Sequence, residues 1–324
     1  MHSRRGSRIS PPAPRVARKP AQQQLAMNVY NRIDENKRQT VYIMLAFTAV
    51  ISAVGYFAGQ YFGQGSGATF LGFDLVFSGF SGLISYYESD KIVLAISGAK
   101  ELKESENLYI YHLVENLCIG AGLPKPKIYT INDTAMNAFA TGRDPNHAVI
   151  CFTTGIIDRL DKLELEGVTA HELSHIGNYD VRLMSIVSVL VGTIVLLSDW
   201  FTRGMFYGGG RKRDRDEGSG ALMVVGLVLL ILSPIIASLI KLALSRQREF
   251  LADSSAALLT RYPKGLADAL QKISSDKEVL EAANGATAHL YIANPLKGAQ
   301  GGFMANLFST HPPVAERIKR LEEM

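Results

Sequence analysis

His171 and His175 stand four residues apart in VTAHELSHIGNYD (Val168–Asp180), with Glu172 directly after the first. On an α-helix, positions i and i+4 share a face with Cβ atoms about 6 Å apart. Both imidazoles can then reach one tetrahedral metal. Glu172 is displaced about 100° around such a helix, so it can reach a metal-bound water without itself ligating. The chemistry this supports is metal-assisted hydrolysis, in which the metal acidifies its water and the carboxylate moves the proton. A pattern this short also arises by chance, and two histidines can simply share a solvated helix face.

A catalytic zinc needs a third protein ligand and an open position. Glu249 and Asp253, in SRQREFLADSSAALL (Ser245–Leu259), are again at i and i+4. Glu249 can supply the third ligand. Asp253 can accept a hydrogen bond from the second nitrogen of a ligand histidine and fix its tautomer. The alternative for this stretch is a surface charge cluster with Arg246 and Arg248.

The elements that must bring these groups together are marked by four apolar stretches. Of 324 residues, 47% are hydrophobic and 20% charged, but the apolar residues are concentrated. Val41–Phe62 has no charge and is long enough, at about 1.5 Å per residue, to cross a bilayer core of about 30 Å. Ala68–Tyr87 follows after a Gly/Ser-rich turn, completing a helical hairpin, and contains one carboxylate, Asp74. A carboxylate in a membrane helix can be functional, or it can reach water or a partner helix from its place two turns inside the span. Leu183–Ser198 and Ala221–Ile240 form a second pair, the latter with Pro234 as a kink, joined by GGGRKRDRDEGSG.

Nine Lys/Arg against Asp34 and Glu35 in residues 1–40 hold the N-terminus on the cytoplasmic side. This basic, proline-punctuated tail is expected to be disordered. It lacks a nucleic-acid-binding fold or aromatic platform, so no nucleic-acid partner is expected. A lipid surface is. If both pairs cross, the chain divides into a tail (1–26), a transmembrane hairpin (27–87), a cytoplasmic part carrying the HExxH helix (88–182), a second hydrophobic hairpin (183–240) and a second cytoplasmic part carrying Glu249 (241–324). The basic loop between the last two stretches works against that topology, and the alternative is that the second pair packs partly against the domain. The HExxH helix runs directly into the third stretch and the Glu249 helix runs directly out of the fourth. An out-and-back hairpin therefore returns the two helices to one membrane face, with the site near it. Cys118 and Cys151 have neither disulfide-framework nor zinc-ribbon spacing, and read as buried thiols in a reducing compartment.

AMNAFATG, RDPN and HAVICFTTG read as two strands around a turn. Alternation places Met136, Ala138 and Ala140 on one side and Asn137, Phe139 and Thr141 on the other. The hairpin is either an ordinary core element or an edge to which a peptide adds its backbone. His112 and His147 read as structural.

HELSH paired with SRxREFxAD, together with SGAKEL (Ser97–Leu102), NAFATG (Asn137–Gly142) and STHPP (Ser309–Pro313), resembles the HtpX family of membrane zinc metallopeptidases, relatives of the CAAX prenyl proteases. The resemblance spans about Asn28 to Glu323. It implies a mainly α membrane protein with about four transmembrane helices and a cytoplasmic zincin-like α+β peptidase domain holding a small sheet. It implies one Zn2+ on His171, His175 and Glu249, with Glu172 as general base and Asp253 behind a ligand. His311 in Thr-His-Pro and Arg317 match residues that stabilise the oxyanion in relatives. Asn137 and Ala138, with Phe139 beside them, match the strand that pairs with substrate. The implied activity is endopeptidase cleavage of misfolded or damaged membrane proteins or other unfolded polypeptides at the cytoplasmic membrane. A non-catalytic membrane scaffold would lack a ligand or the base, and a transporter would have no use for HExxH. A prenyl-peptide protease would need more membrane helices than four.

Overall fold

The computed structural model describes residues 20–62, 67–207, 246–282, 287–293, 295 and 312–324. The chain is mainly helical, with one small mixed sheet. Helix α1 (Pro20–Phe62, 43 residues) contains the first apolar stretch. It begins inside the segment expected to be a tail. Pro20 suits a first helical position, and the Ala, Gln, Leu and Met residues after it favour the helix. Helix α2 (Gly67–Ile96, 30 residues) extends beyond the second stretch, and its last turns carry Val93 and Leu94 into the protein interior.

Among the described residues α2 is one helix long and apolar enough to cross a membrane. Its burial is inverted relative to a water-soluble helix. Ser78, Ser85 and Ser89 are buried, while Phe73 and Val76 are more than 70% exposed. Small polar side chains inside and bulky apolar ones outside suit lipid. The buried serines satisfy their hydroxyls on their own helix, Ser78 donating to the Asp74 carbonyl and Ser85 to that of Ser81.

The sheet comprises β1 (Lys100–Glu101), β2 (Lys127–Ile131), β3 (Ala138–Gly142) and β4 (Ala148–Thr153), in spatial order β1-β2-β4-β3. β2 and β4 are parallel, and β3 pairs antiparallel with β4 through the short 3-10 turn Pro145–His147. The hairpin is therefore present and β3 is one edge of the sheet, with Ala138 opposite Phe152 and Ala140 opposite Ile150. Alternation divides its side chains as expected. Met136, Ala138, Ala140, Ile150 and Phe152 enter one core with helices α3 (Leu108–Ala121) and α5 (Lys162–Gly177). Phe139, Val149 and Cys151 enter a second core with α1, α2 and α6 (Asp180–Tyr207). The third apolar stretch thus starts inside the protein: Leu183, Ile186, Val187, Leu190 and Ile194 are buried in that second core.

Helix α4 (Thr154–Arg159) follows β4. Helices α7 (Arg246–Thr260), α8 (Pro263–Ser275) and α9 (Val314–Glu322) complete the domain. The loop 208–220, the fourth stretch 221–240, residues 1–19 of the basic tail and His311 lie outside the described residues. Cys118 and Cys151 are buried free thiols. His112 is on α3, and His147 bonds Asp144 at the hairpin turn.

Candidate metal centre

Helix α5 starts at a capping box: the Asp161 side chain accepts from the Glu164 backbone N–H, and the Glu164 side chain from that of Asp161. The helix, a little over four turns long, then carries His171 and His175 inward, each less than 5% exposed. The helix ends at Gly177. Asn178 caps it, and Tyr179 takes a left-handed backbone (φ 61°) before α6 starts at Asp180. This conformation is uncommon for a residue with a side chain. The reversal swings Asp180 back onto the helix it follows, and its Oδ2 accepts from His175 Nδ1 at 2.9 Å.

From the other direction, α7 presents Glu249 and Asp253 one turn apart on a buried face. Asp253 Oδ1 lies 3.0 Å from His171 Nδ1. Each imidazole therefore gives one N–H to its own carboxylate, and each Nε2 turns toward a shared point. The two Nε2 atoms are 3.1 Å apart. Glu249 oxygens stand 3.7 Å from His171 Nε2 and 3.6 Å from His175 Nε2.

Two nitrogens on a tetrahedral zinc with bonds of about 2.0–2.1 Å are about 3.3 Å apart. The three separations bracket that value. With both Nδ1–H groups given to carboxylates, the 3.1 Å contact between the Nε2 atoms needs a positive centre between them, a proton on His175 or a metal ion in its place. Four buried carboxylates, Glu172, Glu249, Asp253 and Asp180, surround the two histidines, and in the absence of a metal His175 takes up a proton among them. His171, His175 and Glu249 thus form a buried group able to hold a metal ion, and their geometry and chemistry fit zinc.

The surrounding groups are strongly perturbed. Burial pushes the Glu172 carboxyl up to about 7, opposed chiefly by His175 nearby. Burial pulls His175 down, but the Asp180 hydrogen bond and the Glu249 charge outweigh it and hold the imidazole up at about 9. Burial lowers His171 despite Asp253. Arg317, fully buried on α9, donates to both Asp253 oxygens at 2.9 and 2.6 Å and lies 3.4 Å from Glu249 Oε2. Its guanidinium therefore braces Asp253 and the third ligand.

Glu172 faces the sheet edge, where it accepts from the Ala140 N–H of β3. Asn137, Ala138 and Phe139 are buried and engaged with a segment of the chain itself. Ile292 N donates to Ala138 O at 3.0 Å, Asn137 Nδ2 to Ala293 O at 3.1 Å, and the Phe139 and Tyr291 rings meet edge to face at 5.1 Å. Sequence reasoning missed Asp180, Asn36 and the 290–293 segment. For Asp180 the one signal is Gly-Asn-Tyr after the histidine, a helix ending that precedes a carboxylate.

An HExxH helix whose two histidines meet a glutamate from a second helix, beside a sheet edge, defines a metallopeptidase site. The chain belongs to peptidase family M48, whose family model matches residues 104–324. It is 49% identical to the protease HtpX homolog of Dictyoglomus thermophilum over 91% of this chain and 94% of that protein. It is 44% identical to the one from Caldanaerobacter subterraneus subsp. tengcongensis, over 91% and 98%. A crystal structure of Ste24p from S. mikatae overlays with a TM-score of 0.49 at 18% identity, covering 93% of this chain and 67% of that one. The molecule is an M48 metallopeptidase related to HtpX, with a His-His-Glu metal-binding group.

Proposed function

We propose that this protein is a membrane-bound zinc endopeptidase that cleaves misfolded or damaged membrane proteins and other unfolded polypeptides from the cytoplasmic side. The observation that carries the reading is the convergence of His171, His175 and Glu249, each imidazole oriented by its own carboxylate, with Glu172 buried beside the edge strand. Residues 27–87 and 183–240 are proposed as two membrane hairpins, and 88–182 with 241–324 as the cytoplasmic domain. The lipid-type face of α2 and the two-residue joint that links α5 to α6 support this placement.

Zinc, when bound, supplies a Lewis acid that acidifies water and polarises the scissile carbonyl. His171, His175 and Glu249 hold it. Glu172 takes the proton from the attacking water and delivers it to the leaving nitrogen. Asp253 fixes the tautomer of His171, and Arg317 fixes Asp253. By the resemblance to HtpX proteases, His311 steadies the developing oxyanion, while Arg317, expected beside it, is instead committed to Asp253 and Glu249. The polypeptide lies along β3 and pairs with its backbone once residues 291–293, which hold the Ala138 carbonyl, give way. Asn137, Ala138 and Phe139 shape one end of that edge by holding residues 291–293.

The test is zinc content and casein cleavage on detergent-purified protein, stripped with chelator and reloaded. Wild type should bind one zinc and cleave. Glu172→Gln should keep zinc and lose about 10²–10⁴-fold in rate, and Glu249→Ala should lose zinc. A Glu172→Gln protein cleaving at the wild-type rate would remove Glu172 from the base role.

A further inference from the structure

Asn36 lies on α1, just before the first apolar stretch, and is only 2% exposed. Its amide is used at both ends. Nδ2 donates to Asp180 Oδ1 at 2.6 Å and to the Asn178 carbonyl at 3.0 Å. Oδ1 accepts from Arg248 Nη1 at 3.0 Å. The first two partners sit at the α5–α6 junction behind His175. The third is the residue before Glu249, at the start of α7.

We propose that Asn36 is a positioning residue for the metal centre, acting from α1 through Asp180 on His175 and through Arg248 on the turn that presents Glu249. The inference rests on the metal reading above. Asp180 divides its carboxylate, Oδ2 taking the His175 Nδ1–H and Oδ1 taking Asn36. With both oxygens bound, the carboxylate plane is fixed, and with it the direction of His175 Nε2. Without the amide, a carboxylate that is 1% exposed loses the donor on Oδ1 and can rotate away from the histidine. The other end of the amide holds Arg248 at a set distance from the same junction. One side chain thus spaces the helix that brings two ligands from the helix that brings the third.

Only an amide performs both roles. Aspartate would keep the acceptor for Arg248 but place a second carboxylate against Asp180. Leucine would fill the volume and bond neither. Replacing groups behind a metal ligand usually weakens metal binding by about 10–100-fold.

The experiment is zinc affinity by chelator competition on the full chain in detergent, for wild type, Asn36→Leu, Asn36→Asp, Asp180→Asn and the double variant Asn36→Leu/Asp180→Asn. Zinc-free unfolding midpoints report folding. Asn36→Leu should bind zinc about tenfold more weakly. In the Asp180→Asn background it should add less than it does alone, because part of its effect runs through the Asp180 bond that this variant has already altered. If Asn36→Leu fails to fold, Asn36→Asp, of nearly the same shape, should show the weakening. A folded Asn36→Leu or Asn36→Asp protein with wild-type zinc affinity would overturn the proposal, since a purely structural asparagine moves the midpoint and leaves the metal alone. So would losses that simply add in the double variant. A wild type that takes up no zinc would overturn the metal reading and this inference together; zinc-binding wild type beside an unaffected Asn36 variant would overturn this inference alone.

Discussion

At the scale of single residues, the site is governed by which proton sits on which nitrogen. Asp180 and Asp253 each claim an Nδ1–H, so the Nε2 atoms are left to face the metal. Asp180 also makes His175 a better base, and that has a measurable result. In the metal-free protein His175 holds its proton until about pH 9, and it must give up that proton to ligate. Apparent zinc affinity should therefore climb about tenfold per pH unit from 7 toward 9 and flatten above, with a proton released on binding. Chelator competition at several pH values checks this. In Asp180→Asn the imidazole loses its charged partner, so the climb should end at lower pH. His171, His175, Glu172, Glu249 and Asp253 could be read from the chain because i, i+4 spacing is a local statement about one helix face. Asp180 could not, since five residues is off the helical repeat and works only through the left-handed backbone of Tyr179. Asn36 lies 142 positions or more from every partner of its amide, a distance that no spacing rule spans.

At the scale of elements, α5 is held by a backbone-to-backbone contact with α8. A Cβ on Gly167 would stand 2.6 Å from Leu266 N, and one on Gly265 would stand 2.5 Å from Leu163 O. Two facing glycines let the helices touch, and α8 then buries Leu266, Leu270 and Ile273 in the core beneath the metal helix. Gly167→Val should pry α8 away and cost about 3 kcal/mol, at the upper end for overpacking because neither neighbour is a side chain that can swing aside. Thermal or urea unfolding measures it, and a wild-type midpoint would mean that the helices separate freely. The β3–β4 hairpin was legible because alternation and the Arg-Asp-Pro-Asn turn are both local. What covers its edge was not. Residues 290–293 reach β3 after a long excursion through α5 to α8, and their pairing depends on Ile292 N meeting Ala138 O.

At the scale of the whole molecule, the sheet is a partition with apolar side chains on both faces. The family match begins at residue 104, which invites cutting the chain near that point. The second core argues otherwise, because Ile43, Phe47, Ile51, Val93 and Leu94 of α1 and α2 close it against α6 and the sheet. Residues 97–324 expressed alone should aggregate, or bind zinc at least about tenfold more weakly for want of Asn36. Sedimentation and zinc content decide it, and a soluble, zinc-loaded fragment would show that the first two helices are dispensable. The four apolar stretches were visible as composition. That the third would begin buried against β3, through the Thr141–Ser185 hydroxyl pair, follows only from the assembled sheet. The metal centre draws on Asn36 near one end of the sequence and Arg317 near the other. Its parts leave the ribosome in that order, at about 5–20 residues per second, so roughly a quarter-minute to a minute separates them. Even after Glu249 has been made, the guanidinium that braces it and Asp253 is still to come, so the site closes only as the last residues are added.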